Sequence, residues 1–159
     1  MARMTFKAGD EYMRKLSQLA AGSEEIATKA IQAGAGILTT EIRKNLTANL
    51  NDPESVSKDK TVLFKNYYNK TSGSLLESLG FTEVRRDRDG FLNSKVGFGD
   101  PDYDPKGVPN QLKARVMESG SSTIRKRPFV RPAVLAKRKE AVETMNRIIN
   151  EEIEKRMKG

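Results

Sequence analysis

The chain contains 159 residues, of which 36% are hydrophobic and 31% are charged, and its formal net charge is +8. A chain of this length is expected to form one domain over residues 1–159, with a small hydrophobic core. Cysteine, histidine and tryptophan are absent, which excludes disulfides, zinc sites built on Cys or His, and catalysis by a thiol or an imidazole. The composition therefore favours a binding or structural protein over an enzyme, and it implies no cofactor.

The positive charge is concentrated toward the C-terminal end. Residues 125–139 contain seven basic residues and no acid, namely Arg125, Lys126, Arg127, Arg131, Lys137, Arg138 and Lys139. Such a cluster favours an acidic protein or a nucleic acid as the partner. The sequence has no run of 18 apolar residues and no apolar stretch at its start, so we expect a protein that is made in the cytoplasm and has no membrane partner.

Two consecutive helices are predicted near the N-terminus. The first ends at Gly22, and the second begins at Ser23, which is a favourable N-cap residue. Apolar residues at helical spacing extend the second helix to about Leu46. Gly34 and Gly36 interrupt this apolar stripe, and each weakens a helix by roughly 1 kcal/mol relative to alanine. We therefore expect both glycines to mark the close approach of another backbone.

A turn-rich segment with aromatic residues follows this helix. Phe64, Tyr67 and Tyr68 lie among lysines, so their rings either stack on nucleic-acid bases or fill the edge of a small core. The second interpretation is favoured. Ser74 and Glu77 then form a capping-box pattern, which predicts a short helical turn.

The strongest local pattern is a β-hairpin from about Phe81 to Phe98. Apolar and polar residues alternate on both sides of Asp89 and Gly90, a pair that is typical of hairpin turns. The sheet is therefore expected to be small and antiparallel.

An acidic, proline-rich segment over residues 99–111 follows the hairpin. Asp100, Asp102 and Asp104 alternate like the first ligands of a calcium loop, but the glycine and the glutamate that such a loop requires are missing. We therefore predict an extended loop that reaches toward a partner. A short helix or strand that ends at Gly120 comes next.

A long amphipathic helix is predicted at the C-terminal end, over residues 132–157, and a basic arm over residues 125–131 leads into it. Pro132 suits the first helical turn, whereas Arg131, the residue before it, is expected outside the helix. Phe129 is placed to fold back on the first turn as a hydrophobic staple. Together the elements predict an α+β fold in which a long N-terminal helix and a long C-terminal helix pack on a small antiparallel sheet.

Three short motifs between the two long helices resemble a known family. They are Thr71 and Gly73 followed by Leu and Ser, the Glu-x-Gly element Glu118 and Gly120, and the Pro-Phe-x-x-Pro-Ala element Pro128, Phe129, Pro132 and Ala133. Their order resembles the tail-completion (neck) protein family of long-tailed bacteriophages, to which the minor tail protein Z of lambda is related. The chain has one extra residue between Thr71 and Gly73. It also departs from the family pattern at Lys113, Ala114 and Arg115, which stand where the family has an aromatic residue, and by the length of its acidic loop. The last two departures keep a tail terminator ring as an alternative.

The resemblance implies a structural virion protein rather than an enzyme. Members form a homo-oligomeric ring, expected to contain six copies, in the neck at the top of the tail. The ring joins the head connector or stopper proteins to the tail terminator or tube proteins, and double-stranded DNA passes through its channel without sequence-specific contacts. The chain is accordingly expected in the host cytoplasm during assembly and in the virion afterwards.

Two other classes of function stay open. One is a free, basic nucleic-acid-binding module. The other is an enzyme that uses the carboxylates of Asp100, Asp102 or Glu118, and it is the weakest hypothesis because no nucleophile motif accompanies them.

The C-terminal motif is expected to have two roles. Pro128, Phe129, Pro132 and Ala133 dock the last helix against the sheet. The seven basic residues named above face acidic neighbours or DNA. The first role requires burial of the docking residues, and the second requires exposure of the basic side chains.

Overall fold

The computed structural model describes residues 10–51, 75–99, 109–122 and 125–158. Its elements in chain order are α1 (Asp10–Ala21), α2 (Ser23–Asn51), β1 (Leu79–Phe81), β2 (Arg85–Arg86), β3 (Leu92–Asn93), β4 (Val96–Phe98), α3 (Asn110–Ser119) and α4 (Val130–Lys158). The fold is α+β, as predicted, and a helical turn over residues 75–77 precedes β1. The predictions made for Phe64, Tyr67, Tyr68, Thr71, Gly73, Ser74, Asp100, Asp102 and Asp104 lie outside the described residues.

An antiparallel pair of helices, α2 and α4, forms the frame of the fold. Each has 29 residues and is therefore about 44 Å long at 1.5 Å per residue. Asn45 bonds the carbonyl of Phe129 toward one end of the pair, and Glu25 bonds Arg156 toward the other. In the described part of the chain, no helix combines the length and the apolar content that crossing a bilayer requires.

One of the two glycines inside α2, Gly34, packs directly against α4. A Cβ added to Gly34 would lie 2.7 Å from Sδ of Met145 on α4, whereas a Cβ added to Gly36 would meet nothing within 4 Å. Two residues correspond to about 200° of helical rotation, so Gly36 points away from α4. The predicted close approach is confirmed for Gly34 and is wrong for Gly36.

Gly22 joins α1 to α2, and the guanidinium of Arg156 occupies the space that a side chain at Gly22 would fill. Arg156 also bonds Glu25 at 2.7 Å, so the end of α4 is tied to this junction.

Ser23 is the first residue of α2, whereas an N-cap residue is the one that precedes the helix. Its hydroxyl donates to the carbonyl of Ala20 at 2.9 Å. The prediction that Ser23 caps α2 is therefore wrong, because Gly22 occupies that place.

The predicted hairpin is present over residues 79–98, where β1 pairs with β4 and β2 pairs with β3, both antiparallel. At its tip the carboxylate of Asp87 accepts hydrogen bonds from the backbone N–H groups of Asp89 and Phe91, at 3.0 and 2.8 Å. Gly90 has a φ of 86°, the left-handed conformation that a three-residue hairpin loop needs at this point.

The hairpin lies along α2 and is held at both ends by arginines. At its base, Arg43 of α2 donates to the carbonyl of Leu79 at 2.8 Å. Near its tip, Arg86 bonds Glu24 at the start of α2, also at 2.8 Å. These two contacts hold the base and the tip of the hairpin against different parts of α2.

The hydrophobic core lies where the C-terminal half of α2, the sheet, α3 and the start of α4 meet. Its buried members are Ile42, Leu46, Leu75, Leu79, Ala114, Met117, Phe129 and Ala133. The rings of Phe129 and Phe98 meet edge to face, with their centroids 6.0 Å apart. Toward the other end of the helix pair the contacts change to small side chains such as Ala30 and to ion pairs such as Lys29 with Glu152. The core is therefore concentrated at one end of the molecule.

The structure corrects two boundaries in the C-terminal part of the chain. The element after the acidic segment is a helix, α3, and it begins at Asn110, so residues 110 and 111 do not belong to the predicted loop over residues 99–111. Residues 100–108 of that prediction lie outside the described residues. The last helix begins at Val130, two residues before the predicted start. Arg131 is consequently helical, and Pro132 is the third helical residue. Proline is tolerated there because the N–H groups of the first turn have no helical partner.

Replacing Phe129 by alanine is expected to lower the free energy of unfolding by about 3 kcal/mol, since it removes a fully buried ring from the core. Chemical denaturation followed by circular dichroism measures this difference. Phe91→Ala is the matched control, because its ring is 70% exposed and its loss should change stability by less than about 0.5 kcal/mol. Equal losses in the two variants would contradict the assignment of the core.

The two glycines of α2 are expected to respond differently to alanine. Gly36→Ala should stabilise the protein by up to about 1 kcal/mol, because it removes backbone freedom and adds a methyl group in open space. Gly34→Ala should gain less or lose stability, because Met145 must move. Thermal unfolding of both variants tests this, and a larger gain at Gly34 would show that α2 and α4 are not closely packed there.

Candidate functional site at the junction of α3 and α4

The carboxylate of Glu118 makes the central polar contact between α3 and α4. Its Oε2 accepts hydrogen bonds from the backbone N–H groups of Phe129 and Val130, at 2.8 and 2.9 Å, and its Oε1 accepts one from Arg131 at 3.1 Å. These donors belong to the start of α4, where no helical carbonyl can accept them. A side chain of α3 therefore caps α4 from 11 to 13 residues away in sequence.

The surroundings of Glu118 favour its ionised form. Partial burial raises the pKa of this carboxyl group, but the three backbone N–H groups and the nearby ammonium of Lys126 outweigh burial, so the pKa lies below its ordinary value. The positive end of the α4 dipole lies at the same place and acts in the same direction. A carboxylate with a lowered pKa and with both oxygens engaged is a poor general base. Glu118 is thus a structural cap.

Gly120 ends α3 and turns the chain back toward the start of α4. Its φ of 76° and ψ of 175° define a conformation that is essentially restricted to glycine. Its N–H group donates to the carbonyl of Val116 at 2.7 Å, and the N–H group of Arg127 donates to the carbonyl of Met117 at 2.8 Å. The Glu-x-Gly element therefore supplies both the cap and the turn that brings the cap within reach of α4.

The Pro-Phe-x-x-Pro-Ala element is divided between core and surface. Phe129 and Ala133 are fully buried and belong to the core, which is the docking expected of them. Pro128 and Pro132 are exposed, so the prediction that they also press the helix against the sheet is wrong. They flank the start of α4, where the fixed φ and the missing N–H group of proline are tolerated.

One of the seven predicted cations, Arg127, is tied to the end of α2. Its Nη1 donates to the carbonyl of Asn49 at 2.9 Å, and Nδ2 of Asn49 donates back to the carbonyl of Arg127 at 3.1 Å. Nδ2 of Asn45 donates to the carbonyl of Phe129 at 3.2 Å. Arg127 is therefore a structural residue rather than a solvent-facing cation. Sequence reasoning missed both asparagines, and the only signal was that asparagine is an unfavourable residue inside a helix.

The other six predicted cations fall into two groups. Those that are exposed and form no ion pair within the described residues are Arg125, Lys126, Arg131 and Arg138. Lys137 and Lys139 instead pair with Glu140 and Glu143 of α4, at 2.6 and 3.8 Å. Arg125, Lys126 and Arg131 lie around the start of α4, and Arg138 lies about two turns into it. These exposed cations can meet an external anion.

An apolar groove of about 430 Å³ lies between α3 and α4. Its apolar lining residues are Ala114, Phe129, Val130, Val134 and Leu135, and Arg115, Glu118 and Arg131 complete the lining. Leu135 is 74% exposed. An exposed apolar surface bordered by charged groups is typical of an interaction site.

Two further observations concern the polar side chains of the described residues. None of their His, Cys, Asp and Glu side chains form a group of three that could hold a metal ion. Lys113, which stands near where the family has an aromatic residue, is 4% exposed and donates to Oδ1 of Asn110 at 3.2 Å. The polar groups near the junction thus stabilise the fold, and the groove with its cations is the feature that can bind a partner.

Comparisons of the chain with protein-family models, with curated proteins and with solved structures gave no match. The resemblance to the neck protein family therefore rests on the sequence motifs. Within the described residues, the structure brings Glu118, Gly120, Phe129 and Ala133 together at one junction.

Replacing Glu118 by glutamine is expected to lower the free energy of unfolding at neutral pH by about 1–2 kcal/mol, because one amide oxygen must serve three N–H groups. The pKa of Glu118 is lower in the folded state. The contribution of the carboxylate is therefore complete at pH values above the pKa of the unfolded chain and is lost as the pH falls through the lower folded pKa. Wild type and variant should thus converge in stability at acidic pH.

Denaturant unfolding at a series of pH values measures this convergence. Glu143→Gln is the matched control, because Glu143 is exposed and pairs only loosely with Lys139, at 3.8 Å. Its effect should stay below about 0.5 kcal/mol. A stability gap for Glu118→Gln that persists unchanged at acidic pH would reject capping by the charged form.

Proposed function

We propose that this chain is a structural subunit of a ring in the neck or tail top of a long-tailed bacteriophage. The ring joins head connector or stopper proteins to tail terminator or tube proteins and lets double-stranded DNA pass. The subunit has no enzymatic role and no cofactor, and it moves from the host cytoplasm into the virion during assembly. A tail terminator ring is the alternative within the same class.

The junction of α3 and α4 is the observation that carries this proposal. Glu118 and Gly120 belong to one family motif, and Phe129 and Ala133 belong to another, yet they meet at a single junction in which Glu118 caps α4 and the two apolar residues are buried. A unit of this kind positions a helix and exposes no reactive group. Residues that the resemblance singles out thus have a structural use, which suits a protein whose role is assembly.

The distribution of exposed apolar residues also supports a ring. Phe91 at the hairpin tip and Leu135 on α4 are 70% and 74% exposed. The tip is tied to Glu24 at the start of α2, whereas Leu135 lies near the start of α4, which packs on the other end of α2. Two different exposed surfaces at opposite ends of a subunit favour head-to-tail contacts between copies. Such contacts give a closed ring when the rotations from one copy to the next add up to a full turn.

A free nucleic-acid-binding module is the second candidate, and the exposed cations Arg125, Lys126, Arg131 and Arg138 favour it. In a ring the same cations would meet phosphates or acidic neighbours. The two candidates differ in the isolated chain. A free module binds duplex DNA as a monomer, with an affinity that falls steeply as salt rises.

Electron microscopy and composition of virus particles test the proposal. In a phage whose genome encodes this chain, mass spectrometry should find the chain in purified virions, and an antibody against it should label the head–tail junction. Deleting its gene should leave heads and tails that do not join, whereas deleting a gene outside the assembly region should not. A chain that is missing from purified virions, and that binds duplex DNA as a monomer, would replace the ring with the nucleic-acid module.

A further inference from the structure

The groove between α3 and α4 is lined by apolar residues, by two arginines and by Glu118, whose carboxylate is already engaged by three backbone N–H groups at the start of α4. Val130, Val134 and the largely exposed Leu135 form much of its apolar floor. Arg115 and Arg131 line the same groove, are exposed, and form no ion pair within the described ranges of the chain. A ligand that suits this surface has a large side chain to cover Leu135 and negative charges to meet the two guanidinium groups.

These requirements favour an acidic peptide over duplex DNA. Phosphates would satisfy Arg115 and Arg131, but the outside of a duplex has no apolar side chain to cover the floor. The start of α4 is also closed as an anion site, because Glu118 already accepts hydrogen bonds from three of its backbone N–H groups. An extended acidic segment with an aromatic residue supplies both kinds of contact.

The chain itself contains such a segment. Residues 100–104 read Asp-Pro-Asp-Tyr-Asp, with three acids and one aromatic ring, and they contain no basic residue. Their charge is opposite to that of the groove, and prolines on either side of the central residues reduce the entropy lost when such a segment binds.

We propose that residues 100–104 of one copy bind the α3–α4 groove of a second copy. Tyr103 covers the apolar floor, and the aspartates meet Arg115 and Arg131. This contact deepens the ring function proposed above and rests on it. Because segment and groove are different surfaces, the contact is head-to-tail, as a ring requires.

A charge swap in the full chain tests the contact, with self-association measured by sedimentation velocity. Arg115→Glu with Arg131→Glu should weaken association at least about tenfold, and so should Asp100→Lys, Asp102→Lys and Asp104→Lys together. The chain that carries both sets should recover to within about threefold of wild type, because opposite charges face each other again. Lys44→Glu with Lys95→Glu, at two exposed cations that lie outside the groove and the hairpin tip, is the matched control and should leave association within about twofold of wild type.

A second measurement uses a separate peptide, so residues 100–104 of the protein itself stay unchanged. A fluorescent peptide of residues 99–109 should bind the wild-type chain and should bind the Arg115→Glu, Arg131→Glu variant at least about tenfold more weakly. The same peptide with asparagine in place of its three aspartates should also bind more weakly. Circular dichroism of each variant verifies that the helices are retained.

Several outcomes would overturn the inference. One is a combined variant whose association does not recover, and another is a wild-type chain that neither associates nor binds the peptide. A third is a chain that stays monomeric while its thermal stability falls in each single set and recovers in the combined variant, which would place the segment in the groove of its own copy. Loss of DNA binding without a change in sedimentation would assign the cations to nucleic acid. Rings that persist in the Arg115→Glu, Arg131→Glu variant would reject this interface while leaving the ring function intact, whereas absence from virions rejects the ring function itself.

Discussion

Phe129 is fixed by three other elements at once. Its ring packs edge to face on Phe98 of β4, its N–H group donates to Glu118 of α3, and its carbonyl accepts from Asn45 of α2. The residue stands immediately before α4, so it joins that helix to the rest of the fold through both apolar and polar contacts. A shift that disturbs the ring would also leave buried backbone groups unpaired, which costs more than the lost hydrophobic contact alone. The position of α4, and with it the groove, depends on this residue.

Much of the fold could be predicted from the sequence because its signals are local. The apolar spacing of α2 and α4 and the Asp-Gly pair of the hairpin each lie within a few residues of the structure that they specify. The start of α4 could not be predicted in the same way. The rule that places Arg131 outside a helix considers only its neighbour Pro132, whereas the actual boundary is set by Glu118, which reaches the first turn from another helix.

The same limit applies to the candidate site. Arg127 belongs to a run of basic residues and was predicted to face a partner with them, but the carbonyl of Asn49 holds it against α2. Gly34 and Gly36 look equivalent in the sequence, and only the position of Met145 distinguishes them. The identity of the motif residues was visible in advance, but which of them enter the core, as Phe129 does and Pro128 does not, depends on tertiary contacts.

The antiparallel pairing of α2 with α4 has a consequence for how fast the protein folds. Glu25 and Arg156, which meet at one end of the pair, are 131 residues apart in sequence. The two helices can form quickly by themselves, but their contact must wait until a very long loop closes, and the entropy of that closure is lost before any of the interface is gained. We therefore expect the transition state to be governed by the meeting of these distant segments, and the chain to fold more slowly than a bundle of sequential helices of the same size.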